Sequence, residues 1–463
     1  MRAAVAAGHP ATVEAGVETL AGGGTAADAA VAAALASCVA ETVMTGLLGG
    51  GHAIYWDAAQ RRARNLDCFV AVPGLGAERR EPELVMLDLA FGAELVHYAV
   101  GPASCAVPGV PAGLDALWRA HGRLPWAQLV EPALRLAQAG VELTPAHARC
   151  LEMLETVMTM DEGGRIYSPH GRLLRAGDRL EQPGLVHALE ALATEGAMSV
   201  YRGSIGQGLL ELSDERGGLV TRDDLESYTV LWREPVSCEY LAWHVETRAG
   251  LSGVPGAFVR LPSFRTCSAA ERVVALVDTL RQYGIEDERH TTNLVTVDAE
   301  GNACVLTTSL GLGSGDWLPG LDLHLNSMLG EAELVGGPLV AGERMESMMA
   351  PTLAFEGHDE LALAIGAAGG SRLRTALVTS ASGILDEELS PVEAVARPRI
   401  HPTATVVHAE PDSDEDGLAA LETRGWVVRR WPEKHHYFGG VSAVTRTGAA
   451  GDPRRSGAAR VLG

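Results

Sequence analysis

The clearest alternation of hydrophobic and polar positions lies in the second half of the chain. The run TTNLVTVDAEGNACVLTTSLG, beginning at Thr291, sets two arms of β-branched and apolar residues on either side of Glu300-Gly301-Asn302. Strand formers flanking a glycine-containing turn predict a β-hairpin. A further strand is expected from Leu361 to Ile365, followed by GAAGGSRLRTALVTSASGIL, where a glycine turn runs into a helix. In the first half, GGGTAADAAVAAALASCVAETVM predicts a helix opened by the capping pair Thr25 and Asp28, with an Ala-rich body small enough to pack closely on a sheet. GLLGGGHAIYWD leads from glycines into a strand at His52 to Trp56. A phosphate cradle needs a helix start after its glycines, so no nucleotide site is expected there. From Val107 to Gln282 apolar residues recur mainly at helical spacing, as in GLDALWRAHGRLPWAQLVEPALRLAQAG and LVHALEALATEG. Asp412 to Asp416 reads as an acidic loop, and no internal repeat is present.

Composition narrows the function classes. A length of 463 residues, 47% of them hydrophobic, supports a large core as one layered α/β domain or more than one average domain. A formal charge of -22 repels phosphate backbones and no basic stripe or aromatic ladder offsets it, so nucleic acid is not expected as a partner. The longest Ala-rich stretch is interrupted by Asp28, Ser37 and Glu41, short of the roughly 20 apolar residues that a membrane span needs. MRAAVAAGHP lacks the apolar core and cleavage signature of a signal peptide, so a cytoplasmic location without membrane contact is expected. The cysteines (Cys38, Cys68, Cys105, Cys150, Cys238, Cys267 and Cys304) form no CxxC pair and are odd in number, which predicts buried thiols and not a disulfide framework. His435 and His436 have no carboxylate or cysteine at ligand spacing, so neither a metal nor a cofactor is expected. Trp317 and Trp431 read as packing residues, and Arg454-Arg455 as a surface pair.

Thr291 carries the sharpest chemical signal. If the peptide bond after His290 were cut, Thr291 would hold a free α-amine beside its own hydroxyl at the tip of a strand. Such an amine titrates at about 7.7–8.0 and can take the hydroxyl proton, which an amide nitrogen cannot. On this stretch alone, the start of an ordinary buried strand stays open as the other reading. GAAGGSR sets Gly369 and Gly370 just before a helix, where successive backbone N–H groups can point at a developing oxyanion; a simple turn uses the same pair.

These segments resemble the gamma-glutamyltransferase (gamma-glutamyl transpeptidase) family of N-terminal-nucleophile hydrolases. The likeness runs through HPATVEAGVETLAGGGTAADAAVAAALA, VPGVPAGLDALWRAHGRLPWAQLVEPALRLAQAGVELTP, GGLVTRDDLESY, TTNLVTVDAEGNACVLTTSLG, APTLAF and GAAGGSR to GAAGDPRRSGAA, nearly the whole chain. The resemblance implies an α/β four-layer αββα sandwich. It also implies a precursor that cuts itself between His290 and Thr291 into a large-subunit region, 1–290, and a small-subunit region, 291–463. The two fragments would stay associated as a heterodimer, and relatives occur as monomers or dimers. By the same resemblance Thr291 is the nucleophile, its amine the base, Gly369 and Gly370 the oxyanion hole, and Ser309 stands where the family has a second threonine that hydrogen-bonds the nucleophile.

Departures from the family pattern fall on the clamp for the substrate. Phe69 stands where an arginine holds the glutamyl carboxylate, and Ser327 and Gly330 stand where a glutamine and an aspartate hold its amine. Of two paired serines only Ser347 persists, as the candidate substrate-binding hydroxyl, with Met348 beside it, and Gly311 replaces an asparagine. Losing a bidentate arginine and its anionic counterpart together is not conservative. The expected activity is therefore that of an autoprocessing hydrolase or acyltransferase on a small-molecule acyl substrate without a standard glutamyl group. Arg64 and Glu331 are candidates to stand in for the missing clamp. The alternatives left open are a true gamma-glutamyl hydrolase or transferase, a hydrolase of carbon-carbon bonds in natural-product (antibiotic) biosynthesis, and an uncleaved non-catalytic homologue.

Overall fold

The computed structural model describes residues 1–77, 84–91, 94–283, 291–331, 334 and 337–463. Two antiparallel sheets lie face to face. The first has seven strands in the order Ala458–Val461, Ala4–Ala7, Thr292–Val297, Ala303–Ser309, Gly50–Asp57, Arg62–Cys68 and Leu231–Arg233. The second has six, in the order Ala449–Gly451, Gly440–Thr445, Glu360–Ala368, Thr352–Glu356, Trp243–Thr247 and Val236–Tyr240. Both expected strands and the hairpin turn at 300–302 are present.

The period-two alternation of a strand sorts its side chains between two cores. Ile54, Val295, Val297 and Val305 point inward and meet Leu353, Phe355, Ala364 and Val444 of the facing sheet. Their alternates Ala53, Leu294, Cys304 and Leu306 point outward against helices. The helix there, Ala26–Ala40, is buried along its whole length, which suits a helix that is apolar all round. It starts with the predicted capping box between Thr25 and Asp28, and Asp28 also accepts from the backbone N–H groups of Arg123 and Leu124. On the far side, the helices Val254–Arg260, Ala269–Leu280 and Arg372–Leu385 cover the six-stranded sheet. The result is the expected αββα sandwich.

The regions before and after residue 291 are interleaved. Ala4 pairs with Val297 on one side and Val461 on the other, so a strand from the start of the chain lies between two that follow residue 291. A break in the backbone at residue 290 would leave these ladders and cores in place.

Two expectations need correction. Arg454 and Arg455 are not a surface pair but are 2% and 5% exposed. Arg454 joins a buried network with Glu410 and Asp452, and Asp452 also accepts from Arg399. The acidic loop expected at 412–416 ends at Asp414, and Glu415 and Asp416 already begin the helix Glu415–Thr423, with the Asp414 side chain accepting from Gly417 N at its N-cap. The cysteines are all free thiols, five of them buried and Cys238 and Cys267 partly so. Trp317 is packed in the core, as expected. Among the described residues no group of three or more potential metal ligands is gathered, and no helix is long and apolar enough to cross a membrane.

Candidate active site

Thr291 is buried immediately before the strand Thr292–Val297. The ladder register pairs Thr292 with Thr308, and one further step sets Thr291 against Ser309, itself paired with Gly50. Asn293 ties this strand end to the second sheet: its amide donates to Gly440 O at 3.1 Å and accepts from Ser442 N at 3.0 Å. The head of the strand is thereby held from both layers. His290, the other half of the expected cleavage site, lies outside the described residues.

The glycine turn reaches the same point from the other sheet. Gly369 (φ 121°) and Gly370 (φ 56°) both occupy left-handed backbone that side-chain-bearing residues avoid. Their carbonyls accept from Arg372 N and Leu373 N, each at 3.1 Å, at the start of the helix Arg372–Leu385. In a trans peptide the N–H lies opposite the C=O, so the Gly370 N–H is directed away from the helix. One small cavity is lined by Thr291, Ser309, Ser347 and Gly370, with Gly369 adjoining in sequence. The structure thus gathers the described candidates, which lie up to 79 positions apart in sequence.

The remaining walls of that cavity are Phe69, Met328, Met348, Met349 and Leu373. Phe69 is 1% exposed, stacks on His52 with centroids 5.4 Å apart, and has its carbonyl held by Arg344 at 2.6 Å and Tyr228 at 2.7 Å. A Cβ at Gly330 would stand 1.8 Å from the Ala99 carbonyl oxygen, so an aspartate does not fit there. A Cβ at Gly311 would stand 2.3 Å from Glu331 Oε1, a carboxyl that also accepts from Tyr98 at 2.6 Å. Ser347 Oγ accepts from Met349 N at 3.2 Å, Ser309 Oγ accepts from Gly311 N at 2.9 Å, and Ser327 Oγ accepts from Leu312 N at 3.1 Å. Of the two candidate stand-ins, Arg64 lies over the Trp232 ring at 5.2 Å and lines no part of this cavity. Glu331 is buried behind Gly311.

A second cavity touches Thr291 from the other side. It is lined by Gly8, Glu41, His147, Thr292, Asp452 and Arg455 among others. Glu41 follows the last turn of the Ala26–Ala40 helix; it accepts from Thr12 Oγ1 at 2.6 Å and from Thr292 Oγ1. Burial pushes its carboxyl up to about 7, against the opposing pull of those two hydroxyls and of Arg455. Burial also holds His147 well below the usual imidazole range and lowers His9 to about 4, so both are neutral near pH 7. None of these groups was singled out from sequence as chemical. The available signal was an acidic residue closing an otherwise apolar, fully buried helix, since a buried carboxyl demands partners.

Two facing antiparallel sheets between helical layers, with a buried threonine heading a central strand, define the sandwich of the N-terminal-nucleophile hydrolases. The chain belongs to the gamma-glutamyltranspeptidase family, whose pattern matches residues 12–254 and 268–462. It is 27% identical over 524 residues to Acylase ACY 1 proenzyme of Pseudomonas sp. (strain V22), covering 97% of this chain and 92% of that one. It is 25% identical over 539 residues to Glutathione hydrolase proenzyme 2 of Schizosaccharomyces pombe, covering 99% and 86% respectively. The fold superposes on the crystal structure of a cephalosporin acylase from Bacillus halodurans with a TM-score of 0.84 and 23% identity, over 100% of this chain and 96% of that one. The protein is an enzyme of the hydrolase and acyltransferase class.

Proposed function

We propose that the chain is a precursor that cuts itself at the 290–291 peptide bond, and that the freed Thr291 then forms an acyl-enzyme which water resolves. The substrate's acyl group lacks the charged glutamyl head. The observation that carries this reading is the composition of one cavity: Thr291, Ser309, Ser347 and Gly370 share it with Phe69, Met328, Met348, Met349 and Leu373. The first group is what acyl transfer asks for: a hydroxyl nucleophile, supporting hydroxyls and a backbone donor for the oxyanion. The second group offers an acyl chain apolar surface and no charged partner, so burying a carboxylate or ammonium there is costly.

In the proposed cycle the α-amine of Thr291 takes the hydroxyl proton as Oγ1 adds to the substrate carbonyl. Gly369 and Gly370 receive the negative charge, and Ser309 steadies the nucleophile. The interleaved strands support a heterodimer of 1–290 and 291–463 that stays together after cleavage. Relatives named as an acylase and as a glutathione hydrolase match this chain at 27% and 25% identity, so the choice of a non-glutamyl acyl group over the gamma-glutamyl alternative rests on the lining of the cavity.

One pair of measurements tests this. Intact mass of the purified protein is expected to show two fragments meeting at Thr291, and Thr291→Ala a single full-length chain without activity. Cleaved enzyme offered matched p-nitroanilides is expected to release nitroaniline from a neutral acyl compound and at least about tenfold less from the γ-glutamyl compound, a difference of roughly 1.4 kcal/mol in transition-state binding. Equal or faster γ-glutamyl release would overturn the altered pocket, and an uncleaved but active protein would overturn Thr291.

A further inference from the structure

We propose that the cavity on the Glu41 side of Thr291 seats the water that resolves the Thr291 ester, and that Glu41 is the base that takes that water's proton. This rests on Thr291 being the nucleophile. The cavity is about 10 Å³ and sits among Gly8, Glu41, His147, Thr291, Thr292 and Arg455. That is room for one water, which needs two to four polar partners.

The surroundings are arranged for a base. Thr12 and Thr292 donate to the two different oxygens of Glu41, so the carboxyl plane is held while lone pairs remain for a third donor. Gly8 keeps the approach open: a Cβ there would stand 2.6 Å from Glu41 Oε2 and 2.9 Å from Thr292 Oγ1. Arg455 supplies positive charge at the same place. It is buried, its Nη1 donates to the Met44 sulfur at 3.1 Å, its Nε has no partner, and among the described residues no carboxylate lies within ion-pair distance of it. Its Nη2 lies 3.4 Å from where a Cβ of Gly369 would be, beside the glycine pair. A buried guanidinium with no carboxylate in direct ion-pair contact is further stabilised when negative charge develops next to it.

In self-cleavage Thr291 Oγ1 adds to the His290 carbonyl and the C–N bond breaks; the hydroxyl proton passes to the nitrogen, leaving an ester on Oγ1 and an α-amine. Water then adds to the ester carbonyl and gives a proton to the Glu41 carboxylate. Collapse breaks the bond to Oγ1, which takes the proton back from Glu41, and His290 is released as the acid. An ordinary α-amine at about 7.7–8.0 is mostly protonated at neutral pH, whereas Glu41, at about 7, is then half ionised. The other titratable or charged groups facing Glu41 are His147 and His9, both held neutral, Cys38, whose thiol burial pushes up to about 12, and the charged Asp452 and Arg455.

Glu41→Gln tests the assignment. The wild-type precursor is expected to split at 290–291 at a rate that rises with pH through about 7. Glu41→Gln is expected to split about 10²-fold more slowly and without that rise, the usual loss when a general base is removed. Hydroxylamine, which cleaves esters without a base, is expected to split the variant at the same bond and leave a hydroxamate on His290, visible by mass. A merely structural defect would not be rescued in this way. Gly8→Ala, which fills the water's place, is expected to give the same rescue. Glu41→Gln or Gly8→Ala splitting at the wild-type rate and pH profile, or Glu41→Gln remaining intact in hydroxylamine, overturns the proposal. A wild-type chain that never splits overturns the Thr291 reading beneath it.

Discussion

On one side of Thr291 the walls are Phe69, Met328, Met348, Met349 and Leu373; on the other they include Glu41, His147, Asp452 and Arg455. The two spaces meet at one side chain and differ in what they can stabilise. The methionine-rich side has adaptable apolar surface, suited to selecting an acyl chain by shape. The Glu41 side is polar and tight, with one group that titrates at about 7 and histidines that do not. In the proposed reading, recognition falls to one flank and proton handling to the other, with the glycine turn at their boundary.

The strongest way to break this arrangement is at the boundary itself. Gly369 has φ 121°, and a Cβ on it would stand 2.8 Å from Gly439 Cα. Gly369→Ala is expected to lower kcat by about 10²-fold, the scale of a displaced oxyanion donor, with at least ~1 kcal/mol of lost stability from backbone strain. Turnover on a soluble neutral acyl substrate and a denaturant melt measure the two effects.

The second prediction concerns the Glu41 side alone. Its carboxyl rises from an ordinary 4.5 to about 7 in the folded chain, so between those values the folded state keeps a proton that the unfolded state has lost. The associated stability is full below 4.5 and is lost as pH climbs to about 7, at roughly 1.4 kcal/mol per pH unit. Glu41→Gln is expected to flatten that part of the stability-pH curve, read from denaturant midpoints. An unchanged slope would mean that Glu41 is ionised in the folded chain throughout.

The smallest expected effect sharpens the other flank. Met348, at a position where the resemblance implies a serine, lines the proposed acyl side only. Met348→Ser is expected to cut kcat/KM for a neutral apolar acyl substrate by about tenfold, roughly 1.4 kcal/mol, through KM and not through the pH profile. A change in the pH profile instead would show that the two flanks are not separate.

Much of this was legible from local pattern. The hairpin from Thr292 to Ser309 follows from alternating β-formers around Gly301, and the buried helix from its Thr25–Asp28 cap and Ala-rich body, because these signals act over a few residues. Thr291, Gly369 and Gly370 stand out by their motifs and Ser309 by the family resemblance, and the structure brings Thr291, Ser309 and Gly370 to one cavity. Arg455 was misread as surface because an arginine pair in a polar tail carries no sign of burial; its burial comes from packing among Met44, Gly369 and Gly440. Glu41 looked only like an interruption of an apolar run. Its hydroxyl partners Thr12 and Thr292 lie 29 and 251 positions away, beyond any local window.

The sequence by itself determined the hairpin from Thr292 to Ser309, the strands through His52 to Trp56 and Leu361 to Ile365, the capped Ala-rich helix, and that a threonine with a neighbouring hydroxyl heads a strand. Those outcomes depend on steric preference, caps and periodicity, all short in range. Only the tertiary structure decided that residues 8, 41, 147, 291 and 455 enclose one space and that Phe69 and Met348 wall another. Which side chains share a cavity is set by ladder register, which places Thr291 against Ser309, and by the packing of helix ends and loops from distant parts of the chain around that strand end.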